Sequence, residues 1–102
     1  ARIAGISAAK KVPDLQPLAH TIGVHGCVVD LEILDDHVAI EATVRTADRT
    51  GVEMEALTAV TVAALAVIDM VKGVDRSAYI RTCGITAKSG GRSGDWSREL
   101  PR

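Results

Sequence analysis

The sequence predicts an α+β domain: an antiparallel sheet of ferredoxin-like type with helices packed on one of its faces. Three observations predict it. The stretch from Val52 to Lys72 contains no Pro and no Gly and is rich in Ala and Val, which reads as one long helix. Two runs rich in β-branched residues, Val24 to Leu34 and His37 to Ala47, flank Asp35-Asp36, which is a turn signal. The elements fall in the order α-β-β-α-β without an internal repeat, and such an order packs as helices over a sheet.

Each element has a local reason. Arg2 to Lys11 carries Ile3, Ile6 and several Ala at helical spacing and stops before Pro13. Pro13 to His20 is punctuated by two prolines and holds at most one helical turn. In the second strand Val38, Ile40, Ala42 and Val44 alternate with Ala39, Glu41, Thr43 and Arg45, so one face is apolar and the other mostly polar. Thr50-Gly-Val-Glu53 has the spacing of a capping box at the start of the long helix, and Gly73 is a natural stop. A third strand is expected over Tyr79 to Lys88. The tail from Ser89 to Trp96 is glycine-rich and reads as too flexible for a strand interior.

Composition narrows the function. The 102 residues carry 12 basic and 13 acidic side chains, which leaves no footprint for nucleic acid or membrane binding. A mean hydropathy of +0.18 excludes a disordered chain. The aromatics are one Trp and one Tyr with no Phe, so the core must be built from small aliphatic side chains. A domain of this size buries little surface even with large rings, and an oligomer in which subunits complete each other's cores is expected. No apolar run is read as a membrane span, and no signal peptide is read at the start; the chain begins inside a predicted helix, so residues upstream are expected. Cys27 and Cys83 fit no metal spacing and are expected as buried, reduced thiols of a cytosolic protein. No metal site is visible.

The charges of the long helix sit at its two ends: Glu53 and Glu55, then Asp69 and Lys72. At about 100° per residue Glu55 and Asp69 fall within roughly 40° of each other around the axis, about 21 Å apart along it. An antiparallel pairing of two such helices about a twofold axis would bring Glu55 of one chain towards Asp69 of the other. Ordinary solvated helix ends are the other reading, with Asp69 and Lys72 as an i, i+3 surface pair. His20 before a strand and His37 in a turn each have an ordinary structural reading. Lys88-Ser-Gly-Gly-Arg92-Ser-Gly94 could cradle an anion, although it lacks the spacing of a P-loop and opens no helix.

The run Gly51-Val-Glu-Met-Glu-Ala-Leu-Thr-Ala-Val60, with Val62-Ala-Ala-Leu65 and Asp69-Met70-Val71-Lys72, resembles the cyclic pyranopterin monophosphate synthase family, MoaC, of molybdenum cofactor biosynthesis. Further matching pieces are Ala1-Arg-Ile-Ala-Gly-Ile6, Ala8-Ala-Lys-Lys11, Pro17-Leu18-Ala19-His20, Ile40-Glu-Ala-Thr-Val-Arg45 and Lys88-Ser-Gly-Gly-Arg-Ser-Gly94, so the resemblance runs in order to about Trp96.

That resemblance implies a single MoaC-like domain over residues 1–102, short of its N-terminal segment, in a cytoplasmic homo-hexamer built as a trimer of dimers with sites at the dimer interface. It implies a lyase that converts 3′,8-cyclo-7,8-dihydro-GTP to cyclic pyranopterin monophosphate and pyrophosphate. Asp69 and Lys72 carry over as catalytic, and Leu18, Ala19, His20, Glu53, Met54, Glu55 and Lys88 as substrate-binding. No cofactor is required by the residues; magnesium accompanying the triphosphate is the one candidate. Such chemistry involves proton transfers and an anionic leaving group, which carboxylate, imidazole and amine groups serve. Two departures stand out. The family's cysteine before the histidine is Ala19 here, and the Lys-Gly-Asp motif of the family's N-terminal region, whose lysine is catalytic, is not in these residues. The alternative is a catalytically weak paralogue that binds a pterin or nucleotide, or joins mixed hexamers.

Overall fold

In the computed structural model, which describes residues 1–15, 26–46, 52–90 and 94–101, the elements run α1 (Arg2–Ala9), α2 (Val12–Leu15), β1 (Gly26–Ile33), β2 (Val38–Arg45), α3 (Glu53–Val71), β3 (Ala87–Lys88) and β4 (Trp96–Ser97). The α+β character follows from α1 and α3 packing together on the β1–β2 hairpin. Among the described residues the strands form two separate two-stranded antiparallel sheets, β1–β2 and β3–β4.

The hairpin forms where the alternating pattern places it. Val29 pairs with Ala42 and Leu31 with Ile40, so the apolar sets of both strands lie on one face. Val29 is fully buried there, while Val28, Asp30 and Glu32 point to the exposed face. The Leu34 N–H donates to the His37 carbonyl at 2.9 Å and closes the turn. Asp30 lies directly opposite Glu41, a like-charge pair that only an exposed face tolerates.

The two long helices meet through their smallest residues. Gly5, Ala8 and Ala9 are the buried side of α1, and Glu55, Ala59 and Ala63 the buried side of α3. A Cβ on Gly5 would stand 2.7 Å from the Ala59 carbonyl oxygen and 3.2 Å from both Ala63 Cβ and Val29 Cγ2. Helices and sheet therefore touch at one point, and glycine is what lets them. Arg2 fastens the same corner, its Nε donating to the Val29 carbonyl at 2.7 Å. At the far end of α1 the chain turns tightly, Lys11 N–H to Ala8 carbonyl at 3.0 Å, into the single turn of α2, whose Val12 is completely buried.

The sequence expectations need correction in several places. The third strand, expected from Tyr79, is reduced to Ala87–Lys88, and residues 79–86 join no ladder. Part of the tail read as too flexible is a strand: Trp96–Ser97 pairs with it, across a loop whose Gly90 and Gly94 have φ of +74° and +76°. The helix starts at Val52 as N-cap with no side-chain cap; Thr50 lies outside the described residues. Its end does not use a left-handed glycine. Lys72 remains right-handed, and the N–H groups of Val74 and Asp75 both return to the Val71 carbonyl at 2.9 Å. The thiols are free but not buried: Cys27 is half-buried, where desolvation pushes its pKa up, and Cys83 is exposed. Finally, α3 is long and apolar enough to cross a membrane by length and composition, against the expectation of no such run. Over its first half, Ala59 and Ala63 are buried where α1 and the hairpin pack on it.

The second half of α3 has no such cover. Leu65 and Val71 are exposed, Met70 is 80% exposed and Val74 just beyond the helix 96%. The chain's accessible surface is 7416 Å², against about 5,500 Å² for a folded monomer of this mass. Its radius of gyration is 14.1 Å, where about 12.8 Å is usual.

The Gly5 crossing gives a direct prediction. Gly5→Ala should destabilise the fold by about 1–3 kcal/mol through overpacking, although alanine alone would favour the helix by about 1 kcal/mol. Gly73→Ala, with nothing within 4 Å of the added Cβ, should be neutral or stabilise by up to about 1 kcal/mol. Denaturant titration of the two variants checks both signs.

Candidate functional site

The residues expected at the site fall into two groups at opposite ends of α3. At the start, Glu53, Met54 and Glu55 occupy the first turn, where the helix dipole favours acidic side chains. The Ala56 N–H closes that turn on the Val52 carbonyl at 3.0 Å. Glu55 continues the Ala59–Ala63 stripe by one turn and is only 3% exposed. Met54, one position round, is exposed.

Lys88, 35 residues later, comes to Glu53. Its Nζ lies 2.7 Å from Glu53 Oε1, with the two side chains 22% and 32% exposed. The contact is a close ion pair, although Glu53 Oε1 is buried without a well-aligned hydrogen bond. The ammonium of Lys88 holds the Glu53 carboxyl below its usual range against the opposing effect of burial. The carboxylate form of Glu53 is thus favoured, fixed side by side with Lys88. Beside them an open groove of about 240 Å³ is lined by Leu15, Met54, Leu57, Thr58, Thr61 and Val62. The sequence reading named only Met54 of these, yet the others on α3 follow it at i+3, i+4, i+7 and i+8, which is a legible helical stripe. On that stripe the Thr61 hydroxyl donates to the Leu57 carbonyl at 2.6 Å and meets Cys83 Sγ at 3.6 Å, so the thiol is the donor in the second contact.

At the other end Asp69 and Lys72 form the expected i, i+3 pair at 2.7 Å, both well exposed. Each stabilises the charged form of the other: the Lys72 ammonium lowers the Asp69 pKa, and the Asp69 carboxylate raises that of Lys72. Within a single chain the pairing therefore moves the two pKa values apart, each away from neutrality. Sixteen residues of helix, about 24 Å, separate this pair from Glu53. Glu55 and Asp69 do lie near one azimuth of the helix, but α1 covers only the first half, so one is buried and the other exposed. Leu18, Ala19 and His20 lie outside the described residues, as does Arg92.

Two other candidates are placed as follows. The glycine-rich loop does not offer all its donors to an anion, because the Gly90 N–H is already given to Asp95 Oδ1 at 3.0 Å. The turn residue His37 places Nδ1 2.6 Å from Asp36 Oδ1, which lowers the Asp36 pKa. Among the described residues no group of three His, Cys, Asp or Glu side chains is arranged to hold a metal ion.

The Glu53–Lys88 pair predicts a pH signature. Because the folded pKa of Glu53 lies below its ordinary value of 4.5, its contribution is present above that value and is lost as pH falls through the folded pKa. Glu53→Gln should thus cost on the order of 1 kcal/mol or less near neutrality. The difference from wild type should shrink below pH 4.5 in thermal melts.

The MoaC family model matches residues 1–91. The cyclic pyranopterin monophosphate synthase of Streptomyces griseus subsp. griseus is 63% identical over 101 residues, covering 99% of this chain and 57% of that protein. The protein of the same name from Nocardioides sp. is 60% identical over 101 residues, covering 96% of this chain and 62% of its own length. That of Desulforamulus reducens is 53% identical over 100 residues, with 97% and 61% covered. The chain thus spans about three fifths of the length of the curated relatives it matches. A match that takes in α1, the hairpin, α3 and Lys88 without a break establishes the chain as a member of the MoaC family.

Proposed function

We propose that the protein containing this chain is a cyclic pyranopterin monophosphate synthase, a lyase of molybdenum cofactor biosynthesis acting on 3′,8-cyclo-7,8-dihydro-GTP in the cytoplasm. The observation that carries the reading is the meeting of Glu53 and Lys88 at 2.7 Å. These residues are remote in sequence, and both belong to the set that the relatives' activity would place at the substrate. In this reading the Glu53 and Glu55 carboxylates orient the guanine-derived part. Lys88 faces the anionic part, where negative charge grows as pyrophosphate leaves. Leu18, Ala19 and His20 contribute further substrate contacts. A magnesium ion would arrive with the triphosphate rather than on protein ligands.

Asp69 and Lys72 serve proton transfer, and the site is completed between chains. Three features support this. The pair is about 24 Å from Glu53 on one helix, the helix around it is bare and apolar, and the accessible surface exceeds that of a finished monomer. A twofold antiparallel pairing of α3 through the side that carries Leu65 and Asp69 would bring Glu55 of one chain towards Asp69 of the other and cover Leu65. The proposed assembly is a hexamer, a trimer of such dimers.

Turnover of 3′,8-cyclo-7,8-dihydro-GTP by the full-length protein tests the activity, with the product detected as its fluorescent oxidised pterin. Lys72→Ala should lose about 10²–10⁴-fold in rate. Circular dichroism should show the wild-type fold, because within one chain Lys72 makes an exposed surface pair. Activity retained in that variant would remove Lys72 from the mechanism, and no product from folded wild type would leave the binding-paralogue reading. Leu65→Glu should convert the hexamer to smaller species in light scattering and abolish turnover together; an active monomer would contradict the shared site.

A further inference from the structure

Lys88 sits on a strand of only two residues, and such a ladder is too short to hold itself in place. Its flexible four-carbon stem would let the amine wander unless the backbone beneath it is fixed. The structure fixes it from both sides. On the loop side, Asp95 Oδ1 accepts the Gly90 N–H at 3.0 Å, closing a ring across the mouth of the glycine-rich loop. The two glycines in that ring, Gly90 and Gly94, have positive φ, which L side chains rarely adopt. On the other side, Arg98 fastens the incoming segment. Its N–H donates to the Thr86 carbonyl and its Nε to the Ile85 carbonyl, each at 2.7 Å. Its guanidinium lies 5.7 Å from the centre of the Trp96 ring, and a Cβ on Gly84 would come within 2.9 Å of its Nη2. Lys88 itself pairs with Trp96, the residue next to Asp95, so the Asp95 bond lies one step from the lysine's own ladder partner.

We propose that Asp95 is a positioning residue for Lys88: by accepting the Gly90 N–H it sets the direction of β3 and so holds the Lys88 amine against Glu53. It makes no contact with substrate. The inference deepens the synthase reading and rests on it for its kinetic consequence, but its geometric content stands on the loop alone. What matters is the acceptor oxygen, not the charge, because an amide oxygen in the same place can take the same N–H. Displacing a catalytic or binding group by about 1 Å can lower turnover by up to about 10²-fold.

The test compares wild type, Asp95→Ala and Asp95→Asn of the full-length protein by two readouts. The first is the rate at which an amine-acylating reagent modifies Lys88, followed by mass spectrometry, with Lys10, Lys11 and Lys72 as internal references. Asp95→Ala should raise the Lys88 rate severalfold and leave the reference lysines unchanged, while Asp95→Asn should behave as wild type. The second is turnover. Asp95→Ala should lower kcat by about tenfold or more with a smaller change in KM, and Asp95→Asn should restore it. An unchanged Lys88 rate in Asp95→Ala would overturn the proposal. So would an equal rise at all four lysines, which signals general loosening, an Asn variant as reactive as the Ala variant, or a reactive Lys88 with full kcat. Acylation requires no turnover. An inactive wild type would therefore refute the synthase reading while the labelling still decides the role of Asp95.

Discussion

The crossing of α1 over α3 at Gly5 is the contact on which the rest of the subunit depends. Three chain segments share one point there: the Ala59 carbonyl, the Ala63 methyl and a methyl of Val29 all lie where a side chain on residue 5 would be. With one Trp, one Tyr and no Phe, the chain has few large rings with which to fill a gap between layers. It closes the gap by approach instead, using Gly5, Ala8, Ala9, Ala59 and Ala63. Close approach of backbones gives dense packing with small side chains, but it removes little apolar area per residue. The fold therefore has a rigid centre and a large uncovered remainder, which is what the exposed second half of α3 displays.

The same crossing sets the environment of the candidate site residues on α3. Glu55 shares the stripe of Ala59 and Ala63 and is carried into the interior by it. Asp69, nearly eclipsing it three to four turns on, passes the end of α1 and emerges into solvent. One helix thus presents two carboxylates to two different media. Burial tends to raise a carboxyl pKa and an ammonium neighbour lowers it; Glu53 shows that balance directly, with Lys88 outweighing its partial desolvation. The site end of the helix is already a structured, dry-sided place in a single chain, and the Asp69–Lys72 end is not.

How much was legible in the sequence follows from which signals are local. The helix over Glu53–Val71 and the Gly26–Arg45 hairpin each have a period that names them, and the burial of Val29 and the partial burial of Ile40 and Ala42 follow from it. Asp69–Lys72 is a spacing of three on a helix and could be read at once. Residues 79–86 carry β-branched side chains but join no ladder, and composition does not say whether a partner strand exists; that is why the expected long strand shortens to Ala87–Lys88. Glu53–Lys88 is a tertiary contact with no local pattern at all, and only the family resemblance pointed to both residues. Asp95 was missed although it closes a glycine-rich loop just before an aromatic residue, a placement typical of side chains that cap their own turns. The acidic helix start was legible, but the pairing of Glu53 with Lys88 was not.

The exposed Asp69–Lys72 pair gives the proposed assembly a chemical reason as well as a packing one. In a single chain the pair is solvated, each member keeps the other charged, and neither is suited to exchange protons near neutral pH. Removing water from such a pair raises the carboxyl pKa and lowers the amine pKa, bringing the two towards each other. A second copy of α3 laid antiparallel across the side that carries Leu65 and Asp69 would do this, and in the same step would bring the Glu55 end of the partner helix towards the pair. Under the synthase reading, burial of the bare helix face and activation of the proton-transfer pair are one event. If the proposed assembly forms, a chain with so few large core side chains would gain from it both apolar burial that its own core lacks and a low-dielectric surrounding for the pair.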